Sequence, residues 1–221
     1  MSWFSNTFSS TIGRKFAMAL SALFLVFFLL MHLTTNMLSV ISPDAFNEAS
    51  HFMGTNPVVQ FVMQPILIFA VVFHFLMGFV LELKNRSSRP IKYAKKDTGN
   101  ATWVSQNMIY SGLVILAFLG LHFVDFWIPE INYKYVEQLP ADSGRYYDEL
   151  VHKFQNPIRV GAYVISFALL ALHLLHGFQS SLQSVGQNNK FTPAFKKFTN
   201  AYAIIVPLGF VLIAVYHFFN H

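Results

Sequence analysis

Five long stretches of the chain contain no Asp, Glu, Lys or Arg, and this pattern restricts the fold more than any other feature. They cover residues 16–43, 49–81, 98–124, 160–189 and 198–221. Each holds the roughly 20 residues that a helix needs to cross a bilayer. Within the hydrocarbon core every backbone amide must be hydrogen-bonded by protein, so only helices and closed barrels can span it. We therefore predict one all-α integral membrane domain over residues 1–221, with five transmembrane helices near 15–38, 58–82, 103–127, 157–181 and 199–219.

The composition supports this class. Charged residues make up 11% of the chain, whereas soluble domains carry roughly 25%. The chain contains no cysteine, which excludes disulfides, zinc–thiolate sites and iron–sulfur ligation by its own residues. The first uncharged stretch is long for a signal peptide and is followed by no small-residue cleavage site, so we expect it to be retained.

The formal charge of +5 is unevenly distributed across the predicted membrane. Eleven of the fifteen basic residues flank one set of helix ends: Arg14, Lys15, Lys84, Arg86, Arg89, Lys92, Lys95, Lys96, Lys190, Lys196 and Lys197. Eight of the ten acidic residues lie on the other side. The positive-inside rule then places the N-terminus in the cytoplasm and the C-terminus outside. The basic loops suit anionic lipid headgroups or a cytoplasmic partner, and no nucleic-acid partner is predicted.

Local signals refine the helices. Asn156 followed by Pro157 predicts the start of the fourth helix. Pro65 and Pro207 fall inside the second and fifth helices and are expected to bend them. The connection 128–156 is predicted to lie outside and to hold a short helix over 143–154. Tyr163 lies toward the end of its helix, as interfacial aromatic residues do.

Four histidines lie within four separate apolar helices: His32, His74, His122 and His173. A polar ring at membrane depth is costly unless something satisfies it. At about 1.5 Å per residue, His32 and His122 lie roughly 26–29 Å from the inner helix ends, and His74 and His173 roughly 15 Å. His32 and His122 therefore form an outer pair and His74 and His173 an inner pair, and the two members of each pair lie on different helices. Paired histidines in a chain without cysteine are typical of haem ligation, so two stacked haems are predicted; the alternative is core histidines bonded to nearby carbonyls.

Two glycines support the inner pair. Gly78 follows His74 by four residues, and Gly177 follows His173 by four. This spacing places each glycine on the helix face of its histidine. A flat porphyrin can lie against a helix where the neighbouring side chain is missing. The alternative is that these glycines serve helix packing.

Other histidines compete for these roles. His176 lies one turn nearer the inner edge than His173 and is an alternative ligand. His217 lies at outer depth and could replace His32 or His122. The remaining three, His51, His152 and His221, fall outside the membrane or at the terminus, where a solvated ring is the usual state.

A haem site would need further partners. The second nitrogen of each ligand must be held by a carbonyl, or by a Ser or Thr one turn away. The propionates need positive or hydrogen-bonding groups, for which Arg159 at the outer start of the fourth helix is the preferred candidate. Arg14 and Lys15 fit topology or headgroup contact better.

These residues, in their order along the chain, resemble a known family. The motifs are Met31-His32-Leu33 with Asn36, Ala45-Phe46-Asn47, His51-Phe52-Met53, Pro57, Phe73-His74 with Gly78, Leu121-His122-Phe123 and His173-Leu174-Leu175-His176-Gly177. They resemble the di-haem cytochrome b subunit (b558 type) of succinate dehydrogenase, the five-helix type also found in fumarate reductases. The resemblance covers the first four helices and is strongest from His32 to Gly78 and around His173. It defines the connection 128–156 and the fifth helix poorly.

The resemblance implies two b haems, held by His74 with His173 near the cytoplasm and by His32 with His122 near the outside. It implies a bacterial cytoplasmic (inner) membrane location and two cytoplasmic partners, an FAD-containing flavoprotein that oxidises succinate and an iron–sulfur subunit. Electrons would pass from the iron–sulfur subunit through both haems to quinone near the outer face, menaquinone in this subtype. The chain would be the quinone-reactive subunit and would not oxidise succinate alone.

The resemblance fixes the quinone contacts less well. Some members carry an acidic residue just before the fourth-helix ligand for proton movement, but here the sequence is Leu170-Ala171-Leu172, so that proton path is not expected. The polar residues nearest the expected quinone region are Glu48, His51, Gln64 and Asp125. Each also fits a solvated or capping role.

Two other classes of protein remain open. One is a di-haem cytochrome b of another respiratory complex, such as fumarate reductase, formate dehydrogenase or hydrogenase. The other is a haem-free membrane anchor or transporter. Against a transporter, the sequence predicts no buried charged residue for ion coupling and no strong internal repeat.

Overall fold

The computed structural model describes residues 10–87 and 108–220, and within them it contains helices and no β-strand. These two ranges form seven helices: α1 (Thr11–Ile41), α2 (Pro43–Thr55), α3 (a π-helical turn Val59–Met63 continued by Gln64–Ser87), α4 (Met108–His122, a π-helical turn Phe123–Trp127, Ile128–Ile131 and a second π-helical turn Asn132–Val136), α5 (Arg145–Phe154), α6 (Pro157–Ser184) and α7 (Thr192–Phe219). Five of them, α1, α3, α4, α6 and α7, are long and apolar enough to cross a membrane. The prediction of an all-α integral membrane protein is therefore confirmed. The predicted helix start at 103, the basic residues Arg89, Lys92, Lys95 and Lys96, and His221 lie outside the described residues.

The membrane helices extend beyond their predicted ends. Helix α1 begins at Thr11 because Ser10 Oγ accepts a hydrogen bond from the Gly13 amide at 3.0 Å. Helix α4 continues through Glu130 to Val136, and α7 begins at Thr192. Uncharged stretches mark the part of a helix at membrane depth, but helical hydrogen bonding continues into the interface, where charged side chains reach water.

Helix starts follow local capping signals. The side-chain oxygen of Asn156 accepts from the amides of Ile158 and Arg159 at 3.0 and 3.1 Å, which confirms the predicted start of α6. The short helix expected over 143–154 is α5. Helix α2 was not predicted, although Ser42 caps it with Pro43 at the first position and Asp44 in the first turn. That combination is a recognisable start signal.

Four membrane helices form a closed ring. Helix α1 packs against α3 and α6, and α4 packs against the same two helices, while α7 packs outside the ring against α6 and α1. This arrangement has the predicted four-helix core with a fifth helix beside it.

Packing density is uneven around this ring. In the most apolar 18-residue stretch of α7, 44% of residues are buried, against 6% in α3 and in α4. The buried apolar cluster joins α1, α2, α5, α6 and α7, and Phe167, Phe178, Val206 and Phe210 are among its members. Protein interiors normally approach crystal-like packing density. The α3–α4 side of the ring therefore leaves apolar surface for lipid or for a cofactor.

Candidate metal centre

The four histidines meet in two pairs, with the partners that the depth argument predicts. The ring centres of His32 on α1 and His122 on α4 are 5.7 Å apart. Those of His74 on α3 and His173 on α6 are 6.4 Å apart. The first pair joins α1 to α4 and the second joins α3 to α6. Each of the four helices in the ring therefore supplies one histidine.

The distances within the pairs suit a metal ion between two imidazoles. An imidazole nitrogen lies about 2 Å from a bound metal and its ring centre about 1 Å further, so two rings on opposite sides have centres about 6 Å apart. The described residues contain no group of three or more His, Asp or Glu side chains able to hold a metal ion. A two-imidazole donor set fits a group that brings its own remaining ligands, as the porphyrin of a haem does.

The inner imidazoles have serine partners from neighbouring helices. Ser21 Oγ lies 3.2 Å from His74 Nδ1, and Ser111 Oγ lies 3.2 Å from His173 Nδ1. The expectation of a Ser or Thr one turn away on the same helix is wrong for these two residues. Sequence spacing on one helix could not reveal partners that depend on how α1 and α4 are rotated.

The two inner glycines also have matching surroundings. A Cβ atom added to Gly78 would meet the methyl carbon of Met18 at 3.4 Å, and one added to Gly177 would meet that of Met108 at 3.5 Å. Both methyl groups are the far ends of flexible side chains. Displacement of these methionines would leave a flat helix surface beside each inner histidine, as the glycine argument requires.

These contacts reveal an internal repeat. Met18, Ser21, Phe28 and His32 on α1 recur with identical spacing as Met108, Ser111, Phe118 and His122 on α4. In both copies the phenylalanine ring lies near the outer histidine, at 5.4 Å for Phe28–His32 and 6.0 Å for Phe118–His122. The repeat is confined to this stretch of α1 and α4, so the expectation of no strong internal repeat of the whole chain stays a prediction. The four repeated residues are spread over 15 positions, and their correspondence becomes evident from the contacts that each copy makes.

Asp125 lies in a buried polar cluster beside the outer pair. It is 2% exposed, three residues after His122. The Tyr163 hydroxyl donates to Asp125 Oδ2 at 3.0 Å, and Arg159 Nε lies 3.1 Å from the same oxygen. Tyr163 is itself 2% exposed and its ring centre lies 6.5 Å from that of His122. This burial excludes a solvated or capping role for Asp125 and an interfacial role for Tyr163. The prediction that no helix carries a buried charged residue is wrong, because Asp125 lies on α4.

Arg159 reaches the buried cluster beside His122 through its ion pair with Asp125. Its side chain is 30% exposed and its charge is balanced by Asp125. An arginine in this position can hold a carboxylate and still reach the membrane surface.

The competing histidines have other surroundings. His217 is fully buried, with Nε2 2.9 Å from Ser39 Oγ and its ring 5.6 Å from that of Tyr147. His176 is half-buried, and His152 is exposed. The ring contacts therefore favour His173 over His176, and they place His217 in the α1–α5–α7 packing.

The quinone candidates do not form one site. His51 lines an outer cleft of about 280 Å³ with Gln60, Tyr135, Arg145 and Tyr146. Its Nδ1 atom is buried and makes no hydrogen bond within the described part of the chain. By contrast, Glu48 on α2 is exposed, Gln64 is partly buried on α3, and Asp125 belongs to the buried cluster.

An ion-pair network closes one wall of this cleft. Arg145 pairs with Glu130 and with Glu149, and its guanidinium lies 4.0 Å from the ring centre of Tyr133. Burial acts to lower the pKa of Arg145, but the hydrogen bonds to the two glutamates outweigh it and raise that pKa above its usual value. Arg145 therefore remains a cation and fixes α5 to the outer end of α4.

In comparisons with protein-family models, curated proteins and solved structures, the chain matches none.

Proposed function

We propose that the chain is a di-haem cytochrome b that anchors a succinate dehydrogenase in the membrane and passes electrons to menaquinone. The observation that carries the proposal is the meeting of four membrane histidines in two pairs, with ring centres 5.7 and 6.4 Å apart. Two b haems held by these pairs would supply a path for single electrons between the two sides of the membrane.

The chain's own residues would bind the two haems at two different depths. His74 and His173 would hold the inner group and His32 and His122 the outer one, while Arg159 would donate hydrogen bonds to a propionate of the outer group. The exposed basic residues Lys190, Lys196 and Lys197 lie at the opposite end of the bundle from the cleft of His51. They would face an iron–sulfur subunit, which itself binds the FAD-containing flavoprotein, on the cytoplasmic side of a bacterial membrane.

The partner identity is supported by the motif resemblance and by the basic inner loops. Fumarate reduction would use the same electron path in the opposite direction. Moving one electron outward against the membrane potential costs about 2.3 kcal/mol per 100 mV. A low-potential acceptor such as menaquinone would therefore couple succinate oxidation to that potential.

One of the two sequence arguments against a transporter has failed, because α4 carries a buried Asp. The histidine pairs are therefore the main observation that favours a di-haem cytochrome over a transporter. The test is the absorption spectrum and haem content of the purified chain. We expect b-type bands on reduction and two haems per chain; absence of these bands contradicts the haem assignment.

The enzyme complex is tested separately. Affinity purification of the tagged chain from its native membrane should recover a flavoprotein and an iron–sulfur protein, together with succinate-dependent quinone reduction. Recovery of a formate-oxidising or hydrogen-oxidising partner, with two haems present, would replace succinate dehydrogenase by another respiratory complex.

A further inference from the structure

Two serines occupy equivalent positions at the inner histidine pair. Ser21 Oγ and Ser111 Oγ each lie 3.2 Å from the Nδ1 atom of an inner histidine. Each also hydrogen-bonds the backbone oxygen three residues earlier, Ser21 to Met18 at 2.8 Å and Ser111 to Met108 at 2.9 Å. The same pair of contacts therefore occurs twice, once between α1 and α3 and once between α4 and α6.

The number of available protons fixes the direction of these bonds. A serine hydroxyl has one proton and two lone pairs. Because that proton is donated to the methionine carbonyl, the hydroxyl oxygen can only accept from the imidazole. Nδ1 then carries the N–H of the neutral ring, and Nε2 keeps its lone pair. This is the tautomer that a histidine needs in order to bind a metal through Nε2.

The outer histidines lack this arrangement. His122 Nδ1 is buried and makes no hydrogen bond within the described part of the chain. His32 Nδ1 lies 3.4 Å from Asn36 Nδ2, a donor that also binds the His32 carbonyl at 2.8 Å. Serine therefore distinguishes the inner pair from the outer pair.

We propose that Ser21 and Ser111 are positioning residues, which hold His74 and His173 with Nε2 unprotonated for the inner haem. This inference rests on the proposed function. A hydrogen-bond acceptor at Nδ1 raises the basicity of the imidazole and favours the oxidised iron. The two serines thus lower the reduction potential of the inner haem and leave that of the outer haem unchanged.

Serines that only bond to their own helix provide matched controls. Ser181 Oγ donates to the Phe178 carbonyl at 2.8 Å, also three residues earlier, and is buried. Substitution of Ser181 by Ala removes the same kind of backbone bond without touching the histidine pairs.

The test is a potentiometric titration of the haem bands in the full chain and in Ser21→Ala, Ser111→Ala, the double variant and Ser181→Ala. His173→Ala identifies which titration step belongs to the inner haem. We expect each single variant to shift that step to higher potential, the double variant to shift it further, and Ser181→Ala to shift neither step. An unchanged inner potential, or an equal shift of both haems, overturns the proposal.

Variants that retain the hydroxyl group provide a second test if the alanine variants lose haem. Ser21→Thr and Ser111→Thr should keep two haems and the original potentials, and failure of the threonine variants to do so contradicts the positioning role. If the unaltered chain binds no haem, the proposed function fails with it. If the chain binds two haems and the serine variants titrate normally, this inference alone fails.

Discussion

His173 and His176 lie one turn apart on α6, and their surroundings differ. The centre of the His173 ring lies 6.4 Å from that of His74, and its Nδ1 atom lies 3.2 Å from Ser111 Oγ. We therefore predict that His173→Ala reduces the haem content from two per chain to one, while His176→Ala retains both. Haem extraction and quantification against protein concentration measures this directly. The reverse result would move the inner ligand to His176.

The ion pair between Asp125 and Arg159 is partly buried, which makes its loss measurable. Asp125 is 1% exposed at its side chain and Arg159 30%. Removing one partner of a fully buried pair typically costs about 3–5 kcal/mol, and the exposure of Arg159 reduces the expected cost of Asp125→Asn to about 1–3 kcal/mol. We predict a lower Tm for the purified variant and preferential loss of the outer haem on heating.

A double variant separates charge from packing at this cluster. Asp125→Asn combined with Arg159→Gln leaves no uncompensated cation, so its Tm should lie above that of Asp125→Asn alone. Glu48→Gln on the exposed face of α2 is the control and should leave Tm unchanged. A double variant less stable than either single variant would show that the pair is not coupled through charge.

At the scale of single helices, α6 depends on its first turn to present Arg159 and Tyr163 to Asp125. Asn156 supplies the cap that binds the amides of Ile158 and Arg159. Asn156→Ala should cost about 1 kcal/mol, whereas Asn156→Asp keeps the acceptor and should cost much less. Thermal unfolding of the two variants, followed by circular dichroism, measures the difference. Equal stability of both variants would mean that packing alone holds the start of α6.

The sequence predicts elements better than it predicts their contacts. Membrane depth and charge-free length identify all five membrane helices, and depth alone pairs His32 with His122 and His74 with His173. The burial of Asp125 depends on the register between α4 and α6, which places Arg159 and Tyr163 opposite it. The contact of Ser21 with His74 depends likewise on the rotation of α1. No periodicity within one helix contains this information.

For the whole molecule, uneven packing separates a tightly packed side from an open side. Helix α7 packs tightly on α6 and α1, whereas α3 and α4 contribute few buried residues. A ligand that binds the folded state stabilises it. A haem between α3 and α6, and another between α1 and α4, would therefore join the open side of the bundle to the tightly packed side.

The direction of the proposed electron transfer depends on which end of the bundle lies in the cytoplasm, so the orientation of the whole chain is a test of the proposal. The absence of cysteine allows it to be measured without a background. Exposed Asn188 lies between α6 and α7, and exposed Ala141 lies between α4 and α5 at the other end. The positive-inside rule predicts Asn188 in the cytoplasm and Ala141 outside. In intact cells a membrane-impermeant thiol reagent should label Ala141→Cys and spare Asn188→Cys, and permeabilisation should expose both. Labelling of Asn188→Cys alone in intact cells would invert the topology and place the His74–His173 pair near the outer face.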